Sequence, residues 1–183
     1  QFDFDPILPH LFRFLLDPDP AIARKADDRL FSVRDSEKYE NILTWLRHQL
    51  SRASRNHLAR AIRILAKVRD ALAVPNLIDL LDQSEPGMLS AIHSALIHIT
   101  KNPLPANRRK WEKWWNKVGS QTERIDWLIA GLQQKNPELM NSALIELREL
   151  TSEDFGFCPS ETKNKRKDAI KQWKRWRKEH GMR

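Results

Sequence analysis

The sequence predicts an all-α protein, a right-handed α-solenoid of about four helical hairpins with two extra tryptophan-bearing helices. Three observations predict it. Apolar residues recur at helical spacing from one end of the chain to the other. No alternating run bounded by turns occurs, so no sheet is expected. One passage is written twice: Ser94–Thr100 precedes Trp111, Trp114 and Trp115, and Leu144–Thr151 precedes Ile170, Trp173 and Trp176. Repetition of this kind marks units that bury their apolar faces by stacking on their neighbours.

The elements follow in order. Ile7, Leu8, Leu11, Phe12 and Leu15 form a first stripe after Pro6, broken by Asp17-Pro18-Asp19-Pro20. Ile22, Ala26, Leu30 and Val33 mark a second helix, with Asp19 as N-cap and Pro20 in its first position. Ile42, Leu43, Leu46 and Leu50 mark a third helix, and Leu58, Ala61, Ile62, Leu65 and Val68 a fourth. Leu72, Leu77, Leu80 and Leu81 mark a fifth, beginning near Asp70, and Met88, Ile92, Ala95, Leu96 and Ile99 a sixth, opened by Pro86. Paired by short turns, these six give hairpins over about 6–33, 38–68 and 71–100, and Arg124–Pro137 leading into Glu138–Thr151 gives a fourth over about 121–151. Extra helices are expected over about 107–118 and 163–180, the whole forming a single array over 1–183.

On these residues the chain resembles the HEAT-like repeat family, with Asn76-Leu77, Leu80-Leu81, Ala91, Ala95 and Leu96 in characteristic places. The passage Leu147–Trp176 is similar to one found in bacterial HEAT-repeat proteins, through Leu150-Thr151, Asp154-Phe155-Gly156-Phe157, Trp173 and Trp176. Arg177 stands where a further Trp often does, and the earlier copy lacks the Phe-Gly turn. The resemblance implies the solenoid and a bacterial origin; it implies no activity.

A chain of 183 residues buries roughly 70% of its unfolded surface, enough to fold without disulfides or metals. Cys158 is the sole cysteine, so no internal disulfide forms and the cytoplasm is the expected compartment. No run reaches the length of a membrane span. The opening Gln1-Phe2-Asp3 leaves an excised domain, a processed chain and an exported origin open.

The net charge of +8 lies in one place. Lys163 to Arg183 holds ten basic residues against Asp168 and Glu179, and the remainder is neutral. A basic patch is therefore expected on the two extra helices: Arg108, Arg109, Lys110, Lys113 and Lys117 on the first, and Lys167, Lys171, Lys174, Arg175 and Lys178 on the second. Trp111, Trp114, Trp115 and Val118 share one face, as do Ile170, Trp173 and Trp176. Trp111, Trp114, Trp115, Trp173 and Trp176 are read as structural plugs; stacking on bases is the competing reading.

No catalytic constellation, cofactor or metal is expected. His93 and His98 are five residues apart, so they do not share a face as an i,i+4 pair would, and His10, His48, His57 and His180 are scattered. Asp17/Asp19, Asp27/Asp28 and Asp79/Asp82 read as caps or solvated groups. No glycine-rich phosphate loop or nucleophile turn occurs.

The expected function is a non-enzymatic scaffold that binds another protein, of acidic or mixed charge, on its concave face. Exposed residues of the second helices would line that face: Arg60, Arg63, Lys67, Ser90, His93, Ser94, Asn141, Glu146 and Arg148. The second reading is nucleic-acid binding, because HEAT-like alkylpurine DNA glycosylases are similar in being basic, tryptophan-rich and solenoidal. Their catalytic residues match no particular positions here. HEAT-like phycobilin lyases share only the repeats.

Overall fold

A computed structural model describes residues 7–34, 36–82 and 85–181, with side chains of the first helix described from His10 onward. The opening tripeptide, Pro6, the side chains of Ile7 and Leu8, and the basic Arg183 lie outside the described residues. The described residues hold ten α-helices and no strand, and the chain divides into two compact units, Gln1–Ala95 and Leu96–Arg183. No described helix is long and apolar enough to cross a membrane.

The first unit contains α1 (Ile7–Leu15), α2 (Pro20–Ser32), α3 (Glu37–Arg52), α4 (Arg55–Lys67), α5 (Val74–Leu80) and the start of α6 (Pro86–Thr100). Helix α1 packs on α2, α3 on α4, and α3 also on α5. As expected, Asp19 caps α2, its carboxylate accepting from the Ala21 amide at 2.7 Å, with Pro20 following it. Leu15, Leu30, Ile42, Leu46 and Leu65 are fully enclosed, each from an apolar stripe read in the sequence.

One stripe differs. Leu72, placed in the fifth stripe, is 62% exposed. The chain enters that region through a 3-10 turn over Ala71–Ala73 rather than an α-helix beginning near Asp70. The tighter winding turns Ala73, Val74 and Ile78 inward and leaves Leu72 outside.

The second unit contains the end of α6, then α7 (Arg108–Lys117), α8 (Arg124–Gly131), α9 (Pro137–Thr151) and α10 (Lys163–His180). Helices α8 and α9 pack together, and α10 lies against α8. Their common core joins Leu128, Met140, Leu144, Leu147, Ile170 and Trp173, with Phe157 from the Phe-Gly-Phe turn.

The written repeat is also a conformational one. The Thr100 hydroxyl donates to the Leu96 carbonyl at 2.7 Å and accepts from the Asn102 amide at 3.2 Å. Thr151 repeats both bonds, to Leu147 at 2.7 Å and from Glu153 at 3.2 Å. The residue after each threonine is left-handed: Lys101 has φ 55° and Ser152 φ 58°. Arg69, just beyond α4, has φ 59°. A non-glycine residue pays about 1 kcal/mol for this conformation, so surrounding contacts fix each chain reversal.

Candidate functional site

Three of the proposed binding residues meet in the first unit. Arg60, Arg63 and Lys67 occupy i, i+3 and i+7 of α4, one helical face, and line a cleft of about 560 Å³ opposite α2. Arg60 does not project into solvent as expected. Its Nε donates to the Leu15 carbonyl at 2.9 Å and its Nη2 to the Ala23 carbonyl at 3.0 Å and to Asp27 at 2.5 Å. Its side chain is only 12% exposed. Leu15 ends α1, where unpaired carbonyls and the helix dipole favour a cation.

Asp27, read as a cap or solvated group, is also buried. Burying a carboxylate is costly unless it is paired, and Asp27 meets Arg60 on one oxygen and Lys67, at 3.2 Å, on the other. The Lys67 ammonium lies 4.8 Å above the Phe31 ring. Arg24 and Arg63, both exposed, have no ion-pair partner among the described residues. The cleft thus has one carboxylate, Asp27, between Arg60 and the half-exposed Lys67, and its other charged lining residues are Arg24, Arg63 and Asp17. Arg24 was not singled out in the sequence, and the burial of Asp27 could not be read there because Arg60 lies 33 positions away.

A second paired cation lies elsewhere in this unit. Arg47 donates to both Asp70 oxygens, at 2.7 and 3.0 Å, and to Glu40 at 2.8 Å. Burial works against the Arg47 charge, but the hydrogen bonds to Asp70 and Glu40 outweigh it and push its pKa above the ordinary arginine value.

The remaining concave-face candidates separate. Ser90 and Ser94 on α6 are exposed and His93 is half-buried. On α9, Asn141 is exposed, and exposed Arg148 is paired with Asp154 at 2.6 Å. Glu146, expected at the surface, is only 3% exposed. It is held there by Arg124, whose Nε donates to it at 2.6 Å, and by Lys101 at 3.5 Å. Lys101 is itself enclosed and donates to the His98 carbonyl at 2.6 Å and to Ser142 at 2.9 Å. This internal charge cluster was not legible in the sequence, since Lys101 sits in a loop pattern and Glu146 on a polar helix position.

The indoles are packed. Trp111 and Trp173 are fully enclosed, while Trp114, Trp115 and Trp176 are half-buried. Trp114 and Trp115 both meet Trp127 edge-on, at 5.5 and 5.9 Å. Trp127 was missed because it stands alone in the α8 stripe. Val118, assigned to the same face, is 37% exposed: α7 ends at Lys117, and the chain turns into a 3-10 segment over Gly119–Gln121.

The basic residues of α7 divide in use. Arg108 pairs with Glu112 at 2.7 Å, and Arg109, Lys110, Lys113 and Lys117 are exposed. On α10, Lys171 pairs with Asp168 at 3.0 Å and Arg175 with Glu179 at 2.8 Å, while Lys167, Lys174 and Lys178 are exposed. Arg177 reaches Asp126 and Glu123 at 3.1 and 3.2 Å. Cys158 contacts the Ser160 hydroxyl at 3.1 Å, a hydrogen bond that lowers the thiol pKa. Among the described residues no group of three His, Cys, Asp or Glu side chains is placed to hold a metal. Compared with family models, curated proteins and solved structures, the chain matches none.

Proposed function

We propose that this chain is a non-enzymatic binding protein that takes an acidic segment of another protein into the cleft between α2 and α4. The observation that carries the reading is the cleft's charge order. Asp27 offsets only one of the two charges that Arg60 and Lys67 bring to its floor, and Arg24 and Arg63 outnumber Asp17 among the other lining residues, so the cleft keeps an excess of cations. A floor fixed by the largely enclosed Arg60–Asp27 pair is preorganised, and the excess of cations selects the sign of the partner and speeds its encounter.

In this reading the helices form a right-handed HEAT-like solenoid of about four hairpins, and the protein is a cytoplasmic bacterial scaffold without cofactor. The support is the recurrence of a left-handed residue just beyond α4, α6 and α9, together with the repeated threonine bonds. The test uses immobilised peptides graded from aspartate- and glutamate-rich to lysine- and arginine-rich. The intact protein retains the acidic members, and the double variant Arg24→Glu/Arg63→Glu loses at least tenfold in affinity. Equal retention by both proteins, or no preference for acidic peptides, contradicts the reading.

A further inference from the structure

We infer that the outer edge of α10 is a ridge that binds the phosphate backbone of double-stranded nucleic acid without regard to base sequence. This surface is separate from the α2–α4 cleft, and the inference does not depend on it. At 100° per residue, Lys163, Lys167, Lys171, Lys174 and Lys178 fall within about 80° of arc. They extend along about 22 Å of helix, with neighbours about 4.5–6 Å apart. All five are exposed, and the arc contains neither an acidic nor an apolar residue. The acidic residues of the helix, Asp168 and Glu179, lie outside it. Of the five, only Lys171 has an ion-pair partner among the described residues.

The inward face of the same helix is committed. Ala169, Ile170 and Trp173 are buried in the core of the second unit, and Arg177 is bound to Asp126 and Glu123. The ridge is therefore a rigid row of cations that cannot roll to hide its charge. Its composition decides the partner. Protein interfaces favour aromatic residues, methionine and arginine and are depleted of lysine, which argues against a protein here. A membrane surface is engaged by a helix that offers apolar residues for insertion, but in α10 Ala169, Ile170 and Trp173 are buried and Trp176, half-buried, lies outside the lysine arc. Single strands are gripped by stacking on aromatic rings, but Trp173 is enclosed and Trp176 stacks on His180 at 4.7 Å. Duplex phosphates require only a row of point charges. Over the ridge's length a duplex presents about thirteen, and lysine meets them without reading bases.

The test is fluorescence anisotropy with two labelled 20-bp duplexes of unrelated sequence, titrated with the full chain between 50 and 200 mM salt. Both duplexes bind equally. With four lysines free of partners the slope of log affinity against log salt is about −3.6, a loss of about 150-fold over that range. Changing Lys163, Lys167, Lys174 and Lys178 to Gln removes binding at 50 mM salt while the far-UV circular dichroism stays unchanged. The milder Lys167→Gln/Lys174→Gln pair makes the slope shallower by about 1.8. Arg24→Glu/Arg63→Glu leaves duplex affinity intact. No duplex binding at 50 mM salt overturns the inference. So does an unchanged slope in the folded lysine variants, loss of duplex binding in the cleft variant, or binding to phosphatidylserine vesicles with none to the duplexes.

Discussion

Helices α7 and α10 begin as the same device and finish differently. Each follows a threonine that bonds back into the preceding helix and a left-handed residue after it. Each encloses one tryptophan completely, Trp111 in α7 and Trp173 in α10. Each sets that ring edge-on against a second indole three residues later, Trp114 at 5.7 Å and Trp176 at 6.3 Å. The next position then diverges. Trp115 leans on Trp127, and Arg177 clamps Asp126 and Glu123. Both therefore grip the opening of α8, one through aromatic contact and the other through charge. Trp127 is buried, whereas Asp126 and Glu123 stay partly exposed, so the first contact is apolar packing and the second an ion pair that involves little desolvation of the carboxylates.

The comparison breaks most easily at the enclosed indoles. Trp111→Ala and Trp173→Ala each cost about 3–5 kcal/mol in urea unfolding, the price of a large cavity. A cost below about 1 kcal/mol for either one means the two helices are not equivalent. The enclosed ring nitrogens lack a hydrogen-bond partner in both, so Phe replacements are milder than Ala in both copies.

A smaller effect separates the loops that precede the two helices. Glu146→Ala removes the carboxylate facing enclosed Lys101 and costs about 3 kcal/mol, because an ammonium stays buried without its counter-charge. Adding Lys101→Met recovers part of that loss. Ser152, the matching residue of the second copy, is exposed, and Ser152→Gly is neutral or slightly stabilising, since glycine adopts the left-handed conformation freely. Equal losses at Glu146 and Ser152 contradict the asymmetry.

A further effect lies just beyond α7, in the 3-10 segment that opens at Gly119. A Cβ on Gly119 would lie 2.5 Å from the Trp115 ring and 2.9 Å from Trp114. Gly119→Ala costs about 1–2 kcal/mol and reddens indole emission. No change in either indicates that the four-indole cluster tolerates displacement.

Much of this was legible in the sequence, and the reason is local. Helical spacing, Asp19 with Pro20, and the threonine–tryptophan repeat all depend on residues within a turn or two of each other. What could not be read depends on distant partners. Arg60 looked solvated until Leu15 and Asp27 closed over it, and Glu146 until Arg124 and Lys101 did. Leu72 was misplaced because a 3-10 turn and an α-turn differ in phase, which periodicity alone does not resolve. The ridge on α10 was visible as an excess of charge. Helical spacing already places its lysines on one arc, but that this arc faces outward is fixed only by the burial of Trp173.

Helix α10 completes the core of the second unit with Ala169, Ile170 and Trp173 and turns its row of lysines outward. Far-UV circular dichroism of a chain ending at Thr162 tests it directly. Helix content is expected to fall by clearly more than the 18 residues of α10, because α8 and α9 lose the Ala169, Ile170 and Trp173 surface that seals them. A loss of those 18 residues alone, with an unchanged melting temperature for the rest, would contradict it.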